Sequence, residues 1–142
     1  MTGIKIFSFG FGQVAKNFVK KLKSENIKFE LSTTSREETK DKKLENINYK
    51  NFYLDEKKFD KNLLVNLEKS DHILVSIPPV GGTDIVIQNF KEKLNNKRIK
   101  WITYLSATSV YGNHDGQWVN ENSETKPGSL NGVERLKAEK LW

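Results

Sequence analysis

The 142-residue chain has no cysteine, which excludes disulfides and thiolate metal sites and suits the reducing cytoplasm. Long apolar runs are missing too. The longest, Ile73 to Val80, is interrupted by Ser76 and two prolines, far short of the roughly 20 residues that span a membrane. The N-terminus, MTGIKIFSFGFG, has no basic segment leading into a long apolar stretch and no small-residue cleavage site, so no signal peptide is expected. Histidine occurs only at His72 and His114. Neither these nor the scattered acids show ligand spacing, so no metal is expected. Arginine is confined to Arg36, Arg98 and Arg135, and the net charge of +6 comes from lysines spread through almost every segment. No basic run is interleaved with stacking aromatics, the pattern a nucleic-acid surface needs. The charge reads as a solvated face, with neither nucleic acid nor membrane as partner.

What is present suits one compact domain over residues 1–142. The apolar run Ile4 to Phe9 is followed by glycines and then by Val14, Phe18 and Leu22 at helical spacing, with Lys16, Lys20 and Lys23 on the wet face. That spacing predicts strand, turn, helix. A second strand is expected over Ile27 to Thr33, then an exposed loop or short surface helix in SREETKDKK, then a third strand over Tyr49 to Leu54. Phe59, Leu63, Leu64 and Leu67 form a helical stripe ahead of the strongest strand, His72 to Ile77, which Pro78, Pro79, Gly81 and Gly82 stop. Thr83 can cap the next helix and Asp84 suits its positive end, with Val86, Ile87, Phe90 and Leu94 as the buried stripe. A fifth strand over Lys100 to Leu105, a loop rich in Gly, Asn and Ser, and a weaker helical pattern from Leu130 to Trp142 complete the chain. Alternating strands and helices predict an α/β fold: a three-layer, doubly wound parallel sheet covered on both faces, with ligands at the C-terminal strand ends.

Gly10-Phe11-Gly12-Gln13-Val14-Ala15 is a GxGxxA pattern between the first strand and the first helix, the context that gives the motif weight. Gly10 permits a sharp turn, Gly12 lets backbone approach a pyrophosphate, and Ala15 allows close helix-to-strand packing. The N–H groups at the start of the helix, from Gln13 and Val14 on, then face the phosphates. The plainer alternative is a glycine turn with no nucleotide. At the end of the second strand an acid would hold the ribose 2′-OH of NAD, whereas an arginine suits the 2′-phosphate of NADP. The chain reads Thr33-Thr34-Ser35-Arg36 there, which favours NADP over NAD unless Arg36 is only a solvated loop charge. Asp55 closes the third strand, where it could accept the adenine amino group or cap the following turn. Ser76, Ile77 and Pro78 end the fourth strand beside the expected switch point and are predicted to line the cofactor cleft, though prolines end strands anywhere.

Taken together, GFGQVA, Ser76-Ile77-Pro78-Pro79 and Tyr104-Leu105-Ser106-Ala107-Thr108-Ser109-Val110-Tyr111-Gly112 resemble the short-chain dehydrogenase/reductase superfamily, in particular its extended NAD-dependent epimerase/dehydratase branch and related atypical members. The resemblance implies a Rossmann NAD(P)-binding fold and oxidoreductase chemistry on a small hydroxyl or carbonyl compound. In that family a tyrosine acts as general acid/base beside a lysine one helical turn later, and a Ser or Thr polarises the substrate oxygen; nearby positive charge favours the phenolate. This chain departs from the pattern. Ala107 falls at the Ser/Thr position, and Asn131-Gly132-Val133-Glu134-Arg135 stands where the tyrosine and lysine are expected. Ser106, Thr108 and Tyr111 remain candidates for the nicotinamide end, with Arg135 as a fixed cation. The plainer alternatives are loop hydrogen bonding for Ser106 and Thr108 and a packed aromatic with a satisfied hydroxyl for Tyr111. Family members continue into a C-terminal substrate part; the resemblance leads to the expectation that this part is absent here, and that an open edge on the fifth strand then allows a homodimer. A non-catalytic NAD(P)-binding or redox-sensing module is the alternative function.

Overall fold

Strand β1 (Ile4–Phe9) alternates Ile6 and Ser8 with Phe7 and Phe9, all buried, so a single strand supplies both faces of a sheet from the start. In the computed structural model, which describes residues 3–142, this strand lies near the middle of a six-stranded sheet. Helix α1 (Gln13–Ser24) leads to β2 (Phe29–Ser35), and the hairpin β3 (Lys40–Leu44) and β4 (Ile47–Tyr53) follows. Helix α2 (Leu63–Glu68), β5 (His72–Val75), α3 (Ile85–Leu94), β6 (Trp101–Tyr104) and α4 (Leu130–Glu139) complete the order, with one 3-10 turn at Thr108–Val110. The strand order is β3-β4-β2-β1-β5-β6, parallel throughout except for β3.

The expected doubly wound α/β sheet is present, and β3 is the addition to it. The charged stretch after Arg36 was expected as loop or helix; its second half is an antiparallel edge strand, paired from Lys40↔Asn51 to Leu44↔Ile47. Strand propensity is poor in KDKKL, and β4 imposes the pairing. The lysines also suit an exposed edge, because they discourage pairing with a further strand.

Two cores flank the sheet. On one face Phe7, Phe9, Phe52, Ile73 and Val75 meet Leu63 and Leu67 of α2 and Val86, Phe90 and Leu94 of α3. Phe90 joins the aromatic contacts, with ring centroids 5.1 Å from Phe9 and 4.9 Å from Phe59. On the other face Ile6, Leu31 and Ile47 pack against Val19 of α1.

Here the sequence expectation is corrected twice. The buried positions of α1 are Ala15 and Val19, whereas Val14 and Phe18 are 60% and 43% exposed. Both faces carry helices, but the second is covered only in part, since Val14 and Phe18 border an apolar groove with His72, Leu74, Trp101 and Thr103. The cause is topological: α2 and α3 both cross the opposite face, so α1 alone covers this one and leaves Trp101 exposed.

Helix α3 corrects a further detail. Asp84, not Thr83, is its N-cap, with Oδ1 accepting from the N–H groups of Val86 at 2.9 Å and Ile87 at 3.1 Å. Its Oδ2 accepts from the Trp142 indole N–H at 2.9 Å, so one buried carboxylate ties α3 to the end of α4. Among the described residues no helix is long and apolar enough to cross a membrane, and no His, Cys, Asp and Glu group could hold a metal ion.

Candidate functional site

At the C-terminal end of β1 the chain turns sharply at Gly10, whose φ of +81° lies in the left-handed region. A side chain is excluded there twice over, because a Cβ would also stand 2.7 Å from Ser76 Oγ. Polar groups from three strand ends hold the turn. The Gly10 N–H donates to Thr34 Oγ1 at 3.0 Å, the Ser8 hydroxyl donates to the Gly10 carbonyl at 2.7 Å, and the Ser76 hydroxyl donates to the Phe9 carbonyl at 3.1 Å. Thr34 and Ser8 are buried for this reason, as unpartnered hydroxyls in such positions would be costly.

Gly12 behaves differently. Its φ is −81°, and a Cβ there would meet nothing within 4 Å. It is the N-cap of α1 and provides no side-chain cap, which leaves the first-turn N–H groups to an outside acceptor beside open space. Ala15 is fully buried, so α1 approaches the sheet closely at the third motif position.

The loop forms one wall of a cleft of about 270 Å³. Gly10, Gly12, Thr34, Ser35, Arg36, Asp55, Ser76, Ile77 and Pro78, all picked out in the sequence, line it together. Phe11, Leu54, Glu56, Val80 and Ile85 line it as well. Val80 and Ile85 were reachable only as neighbours of the proline-glycine strand end, and Glu56 carried no motif. Gln13 and Val14 are not in the lining. The Gln13 amide donates along the helix to Asn17 at 3.0 Å, and Val14 faces the groove on the bare side of the sheet. Wider hollows of about 490 and 700 Å³ lie between lysine- and asparagine-rich segments away from these strand ends, and no glycine loop enters them.

Charge in the cleft is paired. The Arg36 guanidinium forms an ion pair with the Glu56 carboxylate, and both side chains are largely exposed. Asp55 is already well used. Its Oδ1 accepts from the N–H groups of Lys57 and Lys58, each at 2.8 Å, and its Oδ2 accepts from the Tyr53 hydroxyl. The Tyr53 hydrogen bond, helped by the two backbone donors, lowers the Asp55 carboxyl to about 2. The same bond raises the Tyr53 phenol above its ordinary value. A carboxylate offers about four lone-pair positions, so one acceptor direction remains beside this turn-capping role.

Ser106, Thr108, Tyr111 and Arg135 do not line the cleft. They surround the chain as it leaves β6. The Ser106 hydroxyl donates to Glu139, and the Arg135 guanidinium donates to the Leu105 carbonyl at 2.8 Å, 6.0 Å above the Tyr104 ring. Burial raises the Tyr104 phenol, against the pull of Arg135, and among the described residues its hydroxyl has no hydrogen-bond partner. Thr108 opens the 3-10 turn, and the half-buried Tyr111 ring lies edge-on to His114 at 6.4 Å. Helix α4 sits close because Gly132 has no Cβ to overlap the Ser109 carbonyl, and Glu134 accepts from the Gly82 N–H at 2.8 Å. The last contact links α4 to the loop that borders the cleft.

No protein-family model and no curated protein matches the chain. Solved structures do. A conserved protein of unknown function from Silicibacter pomeroyi aligns at 25% identity and a TM-score of 0.76, covering 99% of this chain and 48% of that one. UDP-glucuronic acid 4-epimerase from Bacillus cereus, in complex with NAD, aligns at 22% identity and a TM-score of 0.66, covering 97% and 50%. dTDP-glucose 4,6-dehydratase from Bacillus anthracis, also with NAD, aligns at 14% and 0.66, covering 97% and 49%. The chain spans about half the length of these structures. The resemblance read from the sequence is thus met at the level of fold: the chain has the Rossmann-like α/β architecture of NAD-dependent epimerases and dehydratases.

Proposed function

We propose that the cleft binds a nicotinamide dinucleotide and that the chain is the NAD(P)-binding domain of an atypical epimerase/dehydratase-like oxidoreductase in the cytoplasm. The carrying observation is the pair of glycines. Gly10 is required by backbone and neighbours, whereas Gly12 opens onto empty space at an uncapped helix start. A turn alone would need the first glycine and not the second. The residues fit the group: the first turn of α1 would take the pyrophosphate, Ser35 and Arg36 the adenine ribose, and Ile77 and Pro78 one side of the cleft. Leu54, Val80 and Ile85 supply apolar walls, which suit an adenine or nicotinamide ring. The NAD complexes of the epimerase and dehydratase neighbours support the same reading.

When bound, the cofactor would supply or accept hydride at the carbon of a small hydroxyl or carbonyl compound. This chain's own groups would orient the partners. Ser106 and Thr108 stand at the strand end where a substrate oxygen would be polarised, and Arg135 provides fixed positive charge there without being able to act as a base. Tyr111 is the remaining phenol of that segment. One observation favours the second reading, a non-catalytic NAD(P)-binding or redox-sensing module. Ser106 is engaged by Glu139 and Arg135 by the Leu105 carbonyl, so both side chains have structural work. The exposed Trp101 and Ile102 on edge strand β6 support self-association into a homodimer, and a monomer by light scattering would refute that.

Calorimetric titration with NADP(H) and NAD(H) tests the site. NADP(H) is expected to bind more tightly, and Arg36→Ala to remove that preference; equal losses for both cofactors would refute the role of Arg36. Binding of neither would reduce GFGQVA to a turn. Turnover with a panel of alcohols and carbonyl compounds then separates enzyme from module.

A further inference from the structure

Arg36 is not alone at the point where the two cofactors differ. The register Ser35↔Tyr53 sets the ends of β2 and β4 side by side, and the Leu54 N–H donates to the Ser35 carbonyl at 2.9 Å. Beyond them Asp55 fixes its own turn through Tyr53, Lys57 and Lys58, and the Asp55 N–H donates to the Lys58 carbonyl at 3.0 Å. This backbone carries Glu56 to the Arg36 guanidinium, and the two pair across the cleft mouth. The pairing follows from strand register and a built turn rather than from two free surface chains meeting by chance.

We propose that Glu56 sets how strongly the site discriminates between NADP and NAD, an inference that rests on the dinucleotide reading above. A 2′-phosphate approaching Arg36 must share or displace its carboxylate partner, and like charges repel at that separation. A ribose 2′-OH meets no such opposition, because a carboxylate accepts a hydrogen bond from it. Arg36 attracts the 2′-phosphate and Glu56 restrains the attraction, so the wild-type preference is weaker than the arginine alone would give. Both side chains are exposed, which keeps the effect moderate and sensitive to salt.

The test is Glu56→Gln in the full chain, with Arg36→Ala and the double variant, titrated with NADP(H), NAD(H), 2′,5′-ADP and ADP at low and high salt. Glu56→Gln should tighten NADP(H) and 2′,5′-ADP by about three- to tenfold at low salt, and leave NAD(H) and ADP within about twofold. The gain should be clearly smaller in the double variant, measured against Arg36→Ala, since Glu56 acts in large part through Arg36. Circular dichroism matching wild type confirms that each variant folds. If every variant binds both cofactors and Glu56→Gln leaves their ratio unchanged, the role of Glu56 is overturned while the site reading stands. If no variant binds any of the four nucleotides, the site reading fails and this inference fails with it.

Discussion

Gly10 and Gly12 are two residues apart, yet alanine at each should do opposite things. At Gly10 the left-handed φ of +81° costs a residue with a Cβ about 1–2 kcal/mol. The new Cβ also meets Ser76 Oγ at 2.7 Å, and rotating that hydroxyl away gives up its bond to the Phe9 carbonyl, about 1 kcal/mol. Gly10→Ala should therefore destabilise the chain by about 2–3 kcal/mol, a fall in Tm of about 6–10 °C for a domain of this size. At Gly12 the backbone is extended, with φ −81° and ψ −169°, and the added methyl has room. The cost there is that of an N-cap glycine replaced by alanine, at most about 1 kcal/mol. That methyl would occupy the space through which a phosphate reaches the helix start, so dinucleotide affinity should fall at least about tenfold. Urea denaturation and calorimetry on the two variants make the comparison. A Gly10→Ala protein as stable as wild type would refute the strain argument. A Gly12→Ala protein that binds as wild type does would refute the phosphate cradle, whatever its stability.

Two further predictions concern carboxylates. Asp55 has a folded pKa of about 2 against an ordinary value of 3.8, so its contribution to stability is present above pH 3.8 and is lost as pH falls toward 2. The urea midpoint of wild type should exceed that of Asp55→Asn above about pH 4 and converge on it near pH 2; a gap independent of pH in that window would show that the hydrogen bonds do not depend on the charge. Asp84 caps α3 with one oxygen and holds the Trp142 indole with the other while 5% exposed. Asp84→Ala should cost about 2–4 kcal/mol, the sum of a lost cap and an indole N–H left without its acceptor. The unfolding free energy from urea denaturation reads it, and a loss below about 1 kcal/mol would mean that solvent replaces the carboxylate at both contacts.

Local pattern was enough to single out most residues that line the cleft but not to say how they engage. The apolar run Ile4 to Phe9, the two glycines and the helical spacing after them lie within one stretch of chain, so strand, turn and helix start were legible together. Ser76, Ile77 and Pro78 were legible for a related reason: a strand that ends in prolines at the sheet's switch point must border the same crevice. Glu56 was not legible. It has no motif, and its partner lies twenty residues earlier, joined only by the register of β4 against β2. Val14 misled because helical spacing identifies an apolar stripe without showing which part of it a neighbour covers.

The sequence by itself determined the fold class, the glycine loop and the order of elements other than β3, because each depends on residues close together in the chain: periodicity, turn chemistry and the need of a parallel sheet for crossovers. Tertiary structure alone decided the rest. It made an edge strand of Lys40–Leu44 through pairing with β4, left one sheet face bare over β5 and β6, and engaged Arg36, Ser106 and Arg135 with partners distant in sequence. Long-range pairing overrides weak local propensity, and only packing shows whether a polar side chain is free for a ligand or already satisfied.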